Sequence, residues 1–249
     1  MTDSNITLTE PGATHGVRIL QLYEHIELYS QGQPPHNSLF VLGRPPLSVL
    51  NDAQEQLLII DPPEDASSRF KLEGAVAVLF TDPAQEIDLP RLTAAREGVA
   101  HIQVGQHYLD VYNQPHSTVV HLPALGVICG GDFGSDVTLP RLASGSSGGS
   151  ELDTLRLLAG LLKRRLQLYI PRIGEPVSDQ VRALEQLAED VAYILGMQRV
   201  IPPMAQRGDA FEAARSLGDS LLPSGRRSFL ARSVHEENLQ TLFQATQAA

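Results

Sequence analysis

The feature that most restricts what this chain can fold into is a succession of short β-prone runs, each stopped by a turn signal. Residues 17–22, 26–29, 38–42, 48–50, 57–60, 75–80, 101–104, 108–111, 118–121 and 126–129 are rich in branched or otherwise apolar side chains. Gln31-Gly32-Gln33-Pro34-Pro35, Gly43-Arg44-Pro45-Pro46 and Asp61-Pro62-Pro63 punctuate them, and Asn51-Asp52-Ala53-Gln54 reads as a hairpin loop. A chain with this many strands ahead of its first long helix must build sheets and then cover their faces.

Helical spacing takes over later. Residues 151–165 place Leu152, Leu155, Leu158, Leu161 and Leu162 along one side, and residues 180–195 repeat this with Val181, Leu184, Leu187, Val191 and Ile194. Ser178 is the expected N-cap of the second helix and Gly196 its C-cap. A short helix is expected over 89–97. Beyond Pro202-Pro203 the pattern is helical only, with helices expected over 210–217 and 236–248. The run Ser144-Gly145-Ser146-Ser147-Gly148-Gly149-Ser150 reads as a flexible loop. It is not a phosphate loop, because no Gly-Lys-Ser/Thr follows the glycines.

Composition narrows the function classes. Of 249 residues 42% are hydrophobic, yet only 5% are aromatic and none is Trp, so the core must rest on Leu, Ile, Val and Ala. A formal charge of −10 repels duplex nucleic acid and anionic membrane surfaces, so neither is expected as a partner. Lys163-Arg164-Arg165 and Arg226-Arg227 are too short to reverse this and read as solvated helix faces. One cysteine, Cys129, rules out an intramolecular disulfide and any Cys-rich zinc site; its apolar neighbours point to a buried, inert thiol. The first sixteen residues lack a basic-then-apolar signal pattern and no stretch approaches a membrane span, which sets cytoplasmic as the expected location.

Asn37-Ser38-Leu39-Phe40-Val41-Leu42-Gly43 is a hairpin-like stretch, and Leu57-Leu58-Ile59-Ile60-Asp61 a strand that ends in an aspartate. With the segments that follow them in order, they resemble the opening hairpin and the aspartate-ended strand of the metallo-β-lactamase superfamily. Val76-Ala77-Val78-Leu79-Phe80-Thr81 is similar to the strand before the His-x-His-x-Asp-His metal loop. His116 and Gly130-Gly131-Asp132 resemble the later histidine and bridging aspartate, although their separation is shorter than the family's. Tyr169-Ile170-Pro171-Arg172-Ile173-Gly174-Glu175-Pro176 is like the Pro-Gly-His-Gly-Glu turn, and residues 232–239 resemble a C-terminal helix of some members. The resemblance implies an α+β fold, a four-layer αββα sandwich over residues 1–200. A helical extension over 201–249 would pack on the same domain.

The same resemblance implies a depleted metal site. Aligned at Thr81, the metal loop reads Asp82-Pro83-Ala84-Gln85-Glu86-Ile87, so two histidine positions fall on Ala84 and Ile87, which carry no ligand atom. A third falls on Ile173. A hydrolytic dinuclear centre needs several imidazoles and carboxylates to grip two cations and activate a water. What remains is a pocket of Asp82, Glu86, His116, Asp132 and Ile173. The four polar groups are oxygen-rich and suit at most one weakly held divalent cation such as Mg²⁺, Mn²⁺ or Ca²⁺; no tight cofactor is expected. Each also has a plain structural reading: a solvated loop or helix cap for Asp82 and Glu86, a backbone-bonded turn for Asp132 and His116.

Other chemistry fits less well. His116 and His121 flank a strand and point to opposite faces. His101 and His107 could meet across a hairpin as a surface pair. Gly145-Ser146-Ser147-Gly148 misses the spacing of a nucleophile elbow. Three functions therefore stand open: a non-catalytic binding or scaffold protein, a hydrolase with a rebuilt mononuclear site, and a small-molecule binder using the vacated cleft with Ile87 and Ile173 as its floor. The partner is a small molecule or a protein. Apolar stripes in the tail (Phe211, Ala214, Leu217; Leu239, Leu242, Phe243) leave a homodimer open beside packing on the chain's own domain.

Overall fold

A computed structural model describes residues 17–43, 56–63, 66, 75–82, 90–92 and 98–247. The expected strand at 48–50 and the hairpin loop at 51–54 lie outside them. The first sheet runs in chain order: β1 (Val17–Tyr23), β2 (Ile26–Gln31), β3 (His36–Gly43), β4 (Gln56–Ile60) and β5 (Ala75–Leu79). The second holds β6 (Gly98–Val104), β7 (His107–Gln114), β8 (Ser117–Leu122), β9 (Val127–Gly131) and β10 (Leu168–Pro171), in the order β10-β9-β8-β7-β6. Each is an antiparallel meander that ends in one parallel pair, β4 with β5 and β9 with β10. Parallel neighbours need a crossover, and between β9 and β10 it is made through α1 (Gly149–Leu162).

Alternation along the strands makes the layers. Leu39 and Val41, Leu58 and Ile60, Leu109 and Val111, Val120 and Leu122, and Val127 and Cys129 form one buried cluster, the seam between the sheets. Val119, Ile128 and Tyr169 point the other way, into a cluster with Leu155, Leu158, Leu187, Ile194, Leu239 and Phe243. Those last residues come from α1, α2 (Gln180–Gln206) and α4 (Phe229–Gln247); α3 (Phe211–Gly218) adds Ala214. Ile59, Val78 and Phe80 cluster on the outer face of the first sheet with Phe40 and Leu57. The result is an α+β layered sandwich.

Several local expectations need correction. Asp179, not Ser178, caps α2, its carboxylate accepting from Val181 N at 2.8 Å and Arg182 N at 3.2 Å. Gly196 does not end that helix, which continues through Pro202 and Pro203 to Gln206. Its buried stripe continues too, through Met197, Ile201, Met204 and Ala205, so tertiary packing overrides the local breakers. Residues 200 and 201 thus lie within one helix, and α4 shares a buried cluster with the second sheet. The helix α4 begins at Phe229, earlier than expected, where Ser228 Oγ accepts from Ala231 N at 3.0 Å.

No helix covers Pro90–Leu92, the described part of 89–97. It bridges β5 instead: Val78 N donates to Pro90 O at 2.9 Å and Leu92 N to Val78 O at 2.7 Å. The serine- and glycine-rich loop is also tied down. Glu151, buried in the first turn of α1, accepts from Ala143 N (3.1 Å), Ser146 Oγ (2.6 Å) and Ser150 Oγ (2.9 Å). Its glycines serve backbone geometry, Gly145 and Gly148 having φ of 76° and 88°. Arg226, expected on a solvated face, is buried against Asp190, whereas Lys163, Arg164, Arg165 and Arg227 are exposed. Finally, His101 meets Asp110, not His107: the register sets His101 opposite Asp110, with Nδ1 2.7 Å from Oδ1.

Candidate functional site

The two parallel pairs end side by side, and the site is built where they end. β4 finishes at Ile60, and Asp61 turns the chain with φ 51°, a left-handed conformation that aspartate tolerates better than most residues. Its carboxylate accepts from Thr81 N and Thr81 Oγ1, both at 2.7 Å, while Ser38 Oγ donates to its carbonyl at 2.6 Å. Burial pushes the Asp61 carboxyl up to about 6, against the pull of the Thr81 hydrogen bonds and of Arg172. This aspartate fixes the turn that presents Thr81 and Asp82.

The second sheet meets the first through backbone. Thr118 N donates to Thr81 O at 2.9 Å, and Gly131, with φ 65°, brings the chain so close that a Cβ there would stand 3.1 Å from Thr81 Oγ1. A register shift between Ile170 and Pro171 lets Arg172 N reach Gly131 O at 2.7 Å. Asn37 in β3 closes the seam: its N–H donates to Arg172 O at 2.8 Å, and its buried amide nitrogen to Pro171 O and Gly174 O, each at 2.8 Å.

These contacts deliver Asp82, Asp132 and Arg172 to one place. Arg172 Nη2 lies 2.5 Å and Nε 2.7 Å from Asp132 Oδ1, and Nη2 is 3.6 Å from Asp82 Oδ2. The arginine side chain is only 9% exposed. Burial opposes its charge, but Asp132, Asp61 and Asp82 outweigh that and raise its pKa further. Charge-assisted bonds of this kind are the stronger sort, and the planar guanidinium is well suited to a carboxylate.

Asp82, His116 and Asp132 then line a cavity of about 300 Å³. Ser117, Arg141 and Ser144 contribute to its wall, as do Glu151 and Thr154 from α1. Of the five expected site residues, these three come together. Glu86 lies outside the described residues, as do Ala84 and Ile87. Ile173 is not among the lining residues: its backbone bridges His36 in the first sheet, so it is no floor of the cleft. Residues 169–171, expected within a turn, belong to β10 (Leu168–Pro171), and the turn begins at Arg172. The residue that pairs with Asp82 and Asp132, Arg172, was therefore missed by one position. A single arginine closing the apolar stretch Leu168-Tyr169-Ile170-Pro171 was the signal available.

At the position that the resemblance gives to a bridging carboxylate, Asp132 has its Oδ1 engaged by a guanidinium. Among the described residues, no group of three His, Cys, Asp or Glu side chains is placed to hold a metal ion. Cys129 offers no substitute chemistry, since burial pushes its thiol well up. Among the described residues no helix is long and apolar enough to cross a membrane.

No family model matches the sequence, and no curated protein matches it. Solved structures do. The chain is similar to the stereoselective inverting sec-alkylsulfatase Pisa1 from Pseudomonas sp., at 11% identity and a TM-score of 0.59, over 92% of this chain and 49% of that one. A double mutant of the same sulfatase matches at 10% identity and a TM-score of 0.55, over 91% and 49%. A β-lactamase domain protein from Burkholderia ambifaria matches at 14% identity and a TM-score of 0.48, over 79% and 80%. The chain thus spans about half the length of the sulfatase chains. Two mixed five-stranded sheets packed face to face, each ending in a parallel pair beside one cleft, give this chain the metallo-β-lactamase-type sandwich fold.

Proposed function

We propose that this chain is a metallo-β-lactamase-fold protein that does not run dinuclear metal hydrolysis and uses the cleft to bind a small molecule. The carrying observation is the engagement of Asp132 by Arg172. A bridging carboxylate must offer its oxygens to two cations, and here one oxygen already accepts two hydrogen bonds from a buried guanidinium. Ala84, Ile87 and Ile173, at positions where the resemblance places imidazoles, add no nitrogen. The cleft itself supports binding: about 300 Å³, walled by hydroxyls, one imidazole and carboxylates.

Metal content of the purified protein tests this reading. The expected result is well under one tightly held divalent ion per chain and a melting temperature unchanged by chelator. Stoichiometric metal together with a chelator-dependent loss of stability would defeat it, because a ligand bound only by the native state must add to its stability. One observation favours a second reading, a mononuclear hydrolase. Asp82, His116 and Asp132 do line the same cavity. That reading requires stoichiometric metal and a turnover that His116→Ala abolishes.

A further inference from the structure

Three carboxylates crowd the end of the two parallel pairs, and among the described residues Arg172 is the cation paired with two of them. Asp61 is buried behind Thr81, Asp132 and Asp82 face the cleft, and Arg172 reaches from behind to both of the latter. The charges of Asp132, Asp61 and Asp82 all act on the guanidinium. The backbone of Arg172 is pinned on both sides, to Gly131 O of the second sheet and by Asn37 N of the first. Its position is therefore set by the framework, as a coordinated ion's position would be. Taking carboxylates out of water requires a counter-charge held in good geometry. In this cleft the counter-charge is part of the chain.

We propose that the Arg172 guanidinium is a built-in cation that takes the electrostatic place of a divalent ion between Asp132 and Asp82, and keeps divalent ions out while it is there. Both halves have one cause. The guanidinium N–H groups use the Asp132 oxygen that a metal would ligate, and its charge repels a dication brought to the same carboxylates. The inference rests on reading the wild-type cleft as free of tightly bound metal.

The experiment compares wild type, Arg172→Met, and the double variant Asp132→Asn with Arg172→Met, each titrated with Mn²⁺ by calorimetry and by thermal melting. Wild type is expected to show no saturable Mn²⁺ uptake. Arg172→Met is expected to melt lower and to recover stability on binding close to one Mn²⁺ per chain. The double variant, with one carboxylate charge removed alongside the arginine, is expected to melt above Arg172→Met in the absence of metal and to bind no Mn²⁺. Should Arg172→Met fold too poorly to titrate, the melting temperature of the double variant against wild type still decides. A double variant that is equally unfolded shows that charge compensation is not what Arg172 supplies. Wild type silent together with a folded Arg172→Met that gains no Mn²⁺ overturns this inference alone. Stoichiometric Mn²⁺ on wild type overturns the reading beneath it as well.

Discussion

Replacing Arg226 by methionine removes a buried cation that ties the cleft's loop to the helical layer. Arg226 Nη1 bonds Asp190 Oδ1 and, at 3.3 Å, Thr138 O; Nη2 bonds Gln186 O at 3.1 Å and Glu189 Oε2 at 3.0 Å. The other carboxylate oxygen of Asp190 accepts from Gly134 N at 2.6 Å. The Arg226 and Asp190 side chains are 2% and 0% exposed, so solvent screens neither. Methionine fills much of the space of the methylene stem but leaves Asp190 charged and unpaired. Breaking a buried pair in this way costs about 3–5 kcal/mol, which for a chain of this size lowers the melting temperature by roughly 6–20 °C. Burial already raises the Asp190 carboxyl to about 6, so the variant escapes part of the penalty by protonating. The loss should therefore be larger at pH 8 than at pH 5. Urea unfolding at both pH values measures it, and amide exchange should show residues 133–144 opening more readily. A loss under about 1 kcal/mol at pH 8 would refute the reasoning. So would a double variant, Asp190→Asn with Arg226→Met, that is no more stable than Arg226→Met.

Other outcomes follow from the same geometry. Gly130→Ala should cost about 2–4 kcal/mol in chemical denaturation, because a Cβ there collides with the buried Tyr169 hydroxyl that donates to Phe133 O at 2.7 Å. Asn37→Ala should cost about 2–3 kcal/mol by the same measurement, since it strands Ser30 Oγ, Pro171 O and Gly174 O inside the seam between the sheets. The Asp61 carboxyl, raised from 3.8 to about 6, binds its proton more tightly in the folded state. Its contribution is therefore full below about pH 4 and is lost as the pH climbs through about 6, by at most roughly 3 kcal/mol. Asp61→Asn should flatten that fall in a plot of unfolding free energy against pH, and an unchanged slope would count against it.

The sheets were legible in the sequence because the signal that defines them is local. Val120 and Leu122 face the seam while Val119 faces the helices, and a period of two is visible in six residues. The order of motifs, from Asp61 through Asp132, carried enough to anticipate the sandwich and to bring Asp82, His116 and Asp132 to one cavity. Errors arose where distant packing outvoted local preference. Gly196, Pro202 and Pro203 look like breakers, but the stripe of Met197, Ile201 and Met204 has a core waiting for it. Arg226 looks like a surface residue until α2 places Asp190 beneath it.

By itself the sequence determined a succession of short strands followed by amphipathic helices, because side-chain alternation and helical spacing need no partner to be read. Only the tertiary structure decided what balances the charge of the carboxylates. Arg172 and Asp132 are forty positions apart in the chain, and nothing in the spacing joins them. A register shift at Pro171, a left-handed glycine at 131 and the amide of Asn37 set where that guanidinium points. Counter-charge is a property of distance in space, which the chain acquires only when its two sheets close on each other.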